Sequence, residues 1–128
     1  PVGCAMALAQ MEEIRRLKLV PRSARLGALL LEALRQCECA PLKTRARGLG
    51  LMAGLELRRA DGTPAVKESL AVIKRMLHRG FILLPEGEHG NVISFTPPLT
   101  ITPRQIERTL ACLRRTLREV AATGSSTP

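Results

Sequence analysis

At 128 residues, 45 % hydrophobic and 24 % charged, the chain is sized and composed for one globular core, which excludes an intrinsically disordered chain and two separate cores. Its net charge of +9 invites a nucleic-acid reading, but two Phe and no Trp or Tyr leave no stacking platform for single strands. No apolar run approaches the ~20 residues of a membrane-spanning helix, so no membrane partner is expected.

The basic residues point the same way as the missing aromatics. Arg15, Arg16 and Lys18, or Arg114, Arg115 and Arg118, sit singly along predicted helix faces, as solvated faces do, so no nucleic-acid partner is expected. No signal peptide is expected, since no basic stretch precedes an apolar one near the start. The chain opens on Pro1 with no initiator methionine, and we expect a piece of something longer.

A helix is predicted from about Val2 to Lys18, with Met6, Ala7, Gln10, Met11, Ile14 and Leu17 as its stripe. Pro21 fits the first turn of a second helix that runs to about Gln36. Leu26, Leu29, Leu30, Ala33 and Leu34 form its expected core face. After a loop around Pro41 comes Arg47 to Leu57, RGLGLMAGLEL, in which Leu49, Leu51, Ala53, Leu55 and Leu57 alternate. Such period-2 alternation predicts one strand with a buried side. Gly48, Gly50 and Gly54 on its other side fit the close approach of another backbone, a helix or a ligand.

Asp61-Gly62 signals a turn. Thr63 is the expected N-cap of a third helix, with Pro64 at its first position and Val66, Leu70, Ile73 and Leu77 as its buried stripe. Gly80 fits the left-handed residue after its end. FILLP (Phe81 to Pro85) and NVISF (Asn91 to Phe95) read as two strands of a hairpin with a longer loop. Ile93 and Phe95 share one face of the second; Val92 and Ser94 share the other. Thr102, Pro103 and Gln105 match a capping box ahead of a last helix with Ile106, Leu110, Leu113, Leu117 and Val120 as its stripe.

The expected fold is therefore α+β: a small mixed, largely antiparallel sheet covered by helices on one face. Residues 1–40 are expected as a helical segment, 41–122 as the small α+β domain and 123–128 as a disordered tail. Cys4, Cys37, Cys39 and Cys112 lack metal-site spacing, so no metal is expected. His78, near a helix end, and His89, in a loop, have no triad partners. From residues alone, the alternatives are an enzyme piece or a stand-alone basic binding module, possibly for nucleic acid.

Three stretches carry a family resemblance. PVGCAMAL resembles the segment after the phosphate-binding turn of class III (ornithine/4-aminobutyrate-type) aminotransferases, usually written Gly-Asn-Pro-Val-x-Cys-Ala. RGLGLMAGLEL resembles their Arg-Gly-x-Gly-Leu-Met-x-Gly-x-Glu-Leu strand, and RGFILLPEGEHGNVISFTPPLTIT resembles the run that ends their small domain. In order, and with the helices between them, they cover nearly the whole chain.

The resemblance implies the C-terminal small domain of a fold-type-I, cytoplasmic enzyme that uses pyridoxal 5′-phosphate. It implies a homodimer that moves an amino group from an amine or amino acid to a 2-oxo acid. The family's Schiff-base lysine and its phosphate-gripping threonine would both precede Pro1, so no catalytic or cofactor-binding residue is expected here. Lys18, Lys43, Lys67 and Lys74 match no such motif, and the piece alone is expected to be inert. Where many members carry a carboxylate-binding arginine, this chain has Ser94, whose hydroxyl replaces neither the charge nor the fork of a guanidinium.

Overall fold

The structure is a computed structural model that describes residues 1–124. Its elements are α1 (Val2–Arg16), α2 (Leu19–Arg35), β1 (Lys43–Leu49), β2 (Met52–Arg58), α3 (Val66–His78), β3 (Leu84–Glu86), β4 (Val92–Phe95) and α4 (Pro103–Gly124). The strands form one sheet in the order β1-β2-β4-β3, and all three pairings are antiparallel. Helices packed on this sheet make an α+β fold.

The core joins Ala53, Leu55 and Leu57 of β2 and Ile93 and Phe95 of β4 to the buried stripes of α2, α3 and α4. Because side chains alternate along a strand, these sheet residues share one face. The opposite face carries Lys43, Arg45 and Arg47 of β1, Gly54, Glu56 and Arg58 of β2, Val92 and Ser94 of β4, and Leu84 and Glu86 of β3. α1 buries no residue. α2 adds Leu26, Leu30 and Leu34 to the core, whereas Leu29, expected there, lies off that stripe and is 59 % exposed.

Two expectations fail for local reasons. The single strand from Arg47 to Leu57 is a hairpin: Leu49 pairs with Met52, and Gly50 and Leu51 make the turn. Gly50 has φ +56°, the left-handed value that glycine favours at the first position of a two-residue hairpin turn. Leu49 consequently leaves the apolar series and is 89 % exposed. Leu51, at the second turn position, is buried, and its N–H donates to Ser23 Oγ at 3.2 Å.

Thr63 does not cap α3. Its N–H and its hydroxyl both donate to Asp61 Oδ1, and Pro64 pairs with Arg58 in an isolated bridge, so the helix begins after Ala65. The buried face of α3 is Ser69, Val72, Ile73 and Met76; Val66, Leu70 and Leu77 are exposed. Both sets recur at helical spacing, and only the packing partner distinguishes them.

Of the strand expected from Phe81 to Pro85 only Leu84 and Pro85 are in β3, which runs on to Glu86; the end and capping signals of the helices hold better. Gly80, at φ +85°, closes α3: its N–H donates to Leu77 O, and the Phe81 N–H donates to Met76 O, the paired bonds of a Schellman end. The capping box of α4 forms reciprocally, with Gln105 N–H to Thr102 Oγ1 and Thr102 N–H to Gln105 Oε1. All five expected α4 stripe residues are buried. Of the expected tail, Thr123 and Gly124 belong to α4, and residues 125–128 lie outside the described ones.

Candidate functional site

Polar groups gather on the sheet face that the helices leave open. Cross-strand pairing sets Arg47, Gly54, Ser94 and Leu84 in one row, and Arg45, Glu56, Val92 and Glu86 in the next. Glu56 is the anchor of this face. It is 8 % exposed, and its two oxygens accept from different arginines: Oε1 from Arg58 Nε at 2.7 Å, Oε2 from Arg47 Nη1 at 2.9 Å. Burial pushes the Glu56 carboxyl up, but the Arg58 and Arg47 guanidiniums outweigh it and hold the carboxyl below the usual range.

The two arginines differ in what they have left to give. Arg58 also donates Nη1 to Gly62 O at 2.9 Å, which ties it to the turn after β2. Among the described residues Arg47 makes only the Glu56 bond, so its Nε and Nη2 donors remain free. Gly54 stands between Arg47 and Ser94 with no side chain, and a Cβ there would come 2.9 Å from Val92 Cγ1.

Ser94 lies on β4 on the same side as Val92, as its sequence parity indicates. It is 6 % exposed, and its hydroxyl has no hydrogen-bond partner among the described residues. The sealed, unsatisfied side-chain atoms among the described residues are Ser69 Oγ and Arg114 Nε, so the Ser94 hydroxyl is reached by solvent and is free to donate and accept. Beside it opens a mainly apolar cleft of about 450 Å³, lined among others by Phe81, Ile82, Leu84, Phe95 and Pro97. No lysine lines this cleft. Lys18, Lys43, Lys67 and Lys74 are all exposed, and Lys43 Nζ donates to Ala60 O at 2.7 Å.

The remaining reactive side chains are kept apart from this face. Cys37 and Cys39 are buried, and burial pushes both thiols up, away from a nucleophilic thiolate. The Cys37 thiol donates to Ala33 O at 3.4 Å, within α2's own turn. Among the described residues no three His, Cys, Asp or Glu side chains group as metal ligands. His78 ends α3 and His89 lies between β3 and β4; neither lines the cleft.

Sequence reasoning singled out Ser94 and missed Arg47 and Glu56. Their partnership depends on the β1–β2 register, which a reading of one continuous strand hides. A signal was available: Lys43, Arg45 and Arg47 alternate with Thr44 and Ala46, and a period-2 run of cations marks a strand with a solvated face.

Comparison with known proteins adds a family. A family profile described as aminotransferase class-III matches residues 1–117. The 5-aminovalerate aminotransferase DavT of Pseudomonas aeruginosa is 36 % identical over 124 residues, which cover 94 % of this chain and 29 % of that enzyme. The (R)-1-hydroxy-2-aminoethylphosphonate ammonia-lyase of Vibrio splendidus is 34 % identical, over 94 % of this chain and 25 % of the lyase. The omega transaminase from Pseudomonas jessenii, solved in complex with PMP, superimposes with a TM-score of 0.86 at 26 % identity, over 99 % of this chain and 29 % of that one. The chain thus spans less than a third of the length of these proteins.

Proposed function

The chain belongs to the class-III aminotransferases, and from that premise we propose that it is the C-terminal part of a pyridoxal-phosphate-dependent transaminase. The complete enzyme transfers an amino group from an amine or amino acid to a 2-oxo acid. The observation that carries this reading is the family match over residues 1–117. The alternative of a stand-alone basic binding module has nothing comparable behind it.

The residues present here do not by themselves hold the cofactor. Pyridoxal phosphate takes a lysine as its Schiff-base partner and supplies the electron sink for the transfer. All four lysines of this chain are exposed and away from the cleft beside Ser94. The covalent anchor therefore belongs to a part of the enzyme outside this chain, and the piece alone is inert.

What this chain contributes is the wall that faces substrate. Ser94 is our candidate substrate contact, at the place where many family members carry an arginine. We place residues 1–40 as the lead-in from a larger domain and residues 41–122 as the small domain, with α2 already packed into that domain's core. The exposure of Val2, Met6, Leu8 and Met11 on α1 supports a covering partner there. The family resemblance implies a homodimer, and we propose one. The four free cysteines fit a cytoplasmic setting.

The test uses the full-length parent, purified with pyridoxal phosphate and given an amine and a 2-oxo acid. We expect a cofactor absorbance band that shifts on adding amine, and formation of the new amino acid. Free ammonia without the new amino acid would assign a lyase instead, as one relative's name has it. Absence of the band would remove the pyridoxal-phosphate reading altogether.

A further inference from the structure

We propose that Arg47 and Ser94 form a carboxylate subsite spanning Gly54, and that it takes the carboxylate of an amino-acid or 2-oxo-acid substrate. The substrate assignment rests on the transaminase reading; the subsite itself rests on geometry. The two residues occupy one cross-strand row on the open face, two strand spacings apart, which is about 10 Å between their Cα atoms. An extended arginine covers most of that span; Gly54 contributes no side chain, and the Val92 Cγ1 methyl, 2.9 Å from where a Cβ of residue 54 would stand, borders the row.

Three features give this row the chemistry of a carboxylate clamp. Arg47 is held by Glu56 through Nη1 alone, which fixes the guanidinium while leaving the Nε–Nη2 edge for a second, bidentate carboxylate. Glu56 meets two arginines, Arg47 and Arg58, so this group of three keeps a net positive charge. The Ser94 hydroxyl, 6 % exposed and unpartnered, supplies a donor from the opposite side.

The other charges on this face do not compete for the position. Lys43 is turned to Ala60 O, and Arg45 lies in the neighbouring row. Glu56, the nearest carboxylate, is offset by Arg47 and Arg58, and Glu86 is in that same neighbouring row on the far edge strand.

The experiment is isothermal titration of the full-length, cofactor-loaded parent with glutarate, which carries carboxylates and no amine. Wild type is compared with Arg47→Leu, Arg47→Lys and Ser94→Ala. The dissociation constant should rise about tenfold or more in Arg47→Leu, and less in Arg47→Lys because the charge is kept. In Ser94→Ala it should rise about threefold, the scale of one hydroxyl hydrogen bond. KM for pentylamine, which has no carboxylate, should change far less than the glutarate constant.

Glutarate that binds wild type and Arg47→Leu equally, or binds neither, overturns the subsite. An equal loss for glutarate and pentylamine overturns it too, since that marks a structural role for Arg47. The cofactor band is recorded on every sample. A wild type without the band defeats the transaminase reading, whereas Arg47-dependent glutarate binding would still establish the subsite.

Discussion

Gly27 of α2 lies against the carbonyl of Gly50 in the β1–β2 turn so closely that a Cβ on residue 27 would fall 2.0 Å from Gly50 O. Helix and turn meet here backbone to backbone. The neighbouring Ser23 Oγ accepts from Leu51 N–H at 3.2 Å and fixes the turn from the same side. The hairpin that presents Arg47 is thereby seated on α2.

Gly27→Ala should be strongly destabilising. A mid-helix Gly to Ala change ordinarily gains about 0.5–1 kcal/mol. Here the methyl overlaps a rigid carbonyl, and such overpacking costs about 1–3 kcal/mol or more. The steric cost wins, because the turn cannot retreat without losing the Ser23 bond. We expect a lower urea midpoint, corresponding to a net stability loss of about 2 kcal/mol; an unchanged or raised midpoint would refute the contact.

The cap of α4 gives a milder test. Thr102→Ala removes the acceptor for Gln105 N–H and the hydroxyl that bonds Gln105 Oε1. N-cap losses of this kind cost about 1 kcal/mol. Thr102→Ser should restore most of it, since the hydroxyl returns. Equal losses in the two variants would point to the threonine methyl instead.

On α3 the two faces should respond oppositely. Leu70 is exposed, so Leu70→Lys should change stability by no more than about 0.5 kcal/mol. Met76 is fully buried between α3, the sheet and α4, and Met76→Ala should cost about 2–5 kcal/mol. The reverse order in denaturation midpoints would mean that the apolar stripe read from the sequence, and not the packed one, faces the core.

These cases show what a single chain reveals and what it hides. Elements set by local chemistry were legible: the Gly80 helix end, the Thr102–Gln105 box and the α4 stripe all formed where their residues indicated. Features set by pairing were not. Gly50 reads equally well as a strand glycine or as a turn, and choosing the turn moves Leu49 from the core to solvent. The same choice brings Arg47 to Glu56, nine residues away, so the ion pair at the centre of the site followed from the one turn that alternation concealed. Ser94 was legible because its parity against Ile93 and Phe95 holds whatever β4 pairs with.

Glu56 makes stability depend on pH in a defined direction. Its carboxyl is held below the usual range when folded, with Arg58 and Arg47 outweighing the upward push of burial. The unfolded chain therefore takes up the proton at higher pH than the folded one. The pair's contribution is complete above the ordinary carboxylate range and is lost as pH falls through the lowered folded value. Glu56→Gln should cost on the order of 1 kcal/mol at neutral pH, because both arginine partners are about half exposed and solvent screens the pair. Toward acid pH the difference between variant and wild type should shrink. The variant keeps some acid sensitivity, since Glu68 and Glu119 are also lowered, each chiefly by an arginine hydrogen bond. Thermal melts of both proteins at neutral and acid pH decide it: a gap that stays constant would show that Glu56 acts through packing and not through its charge.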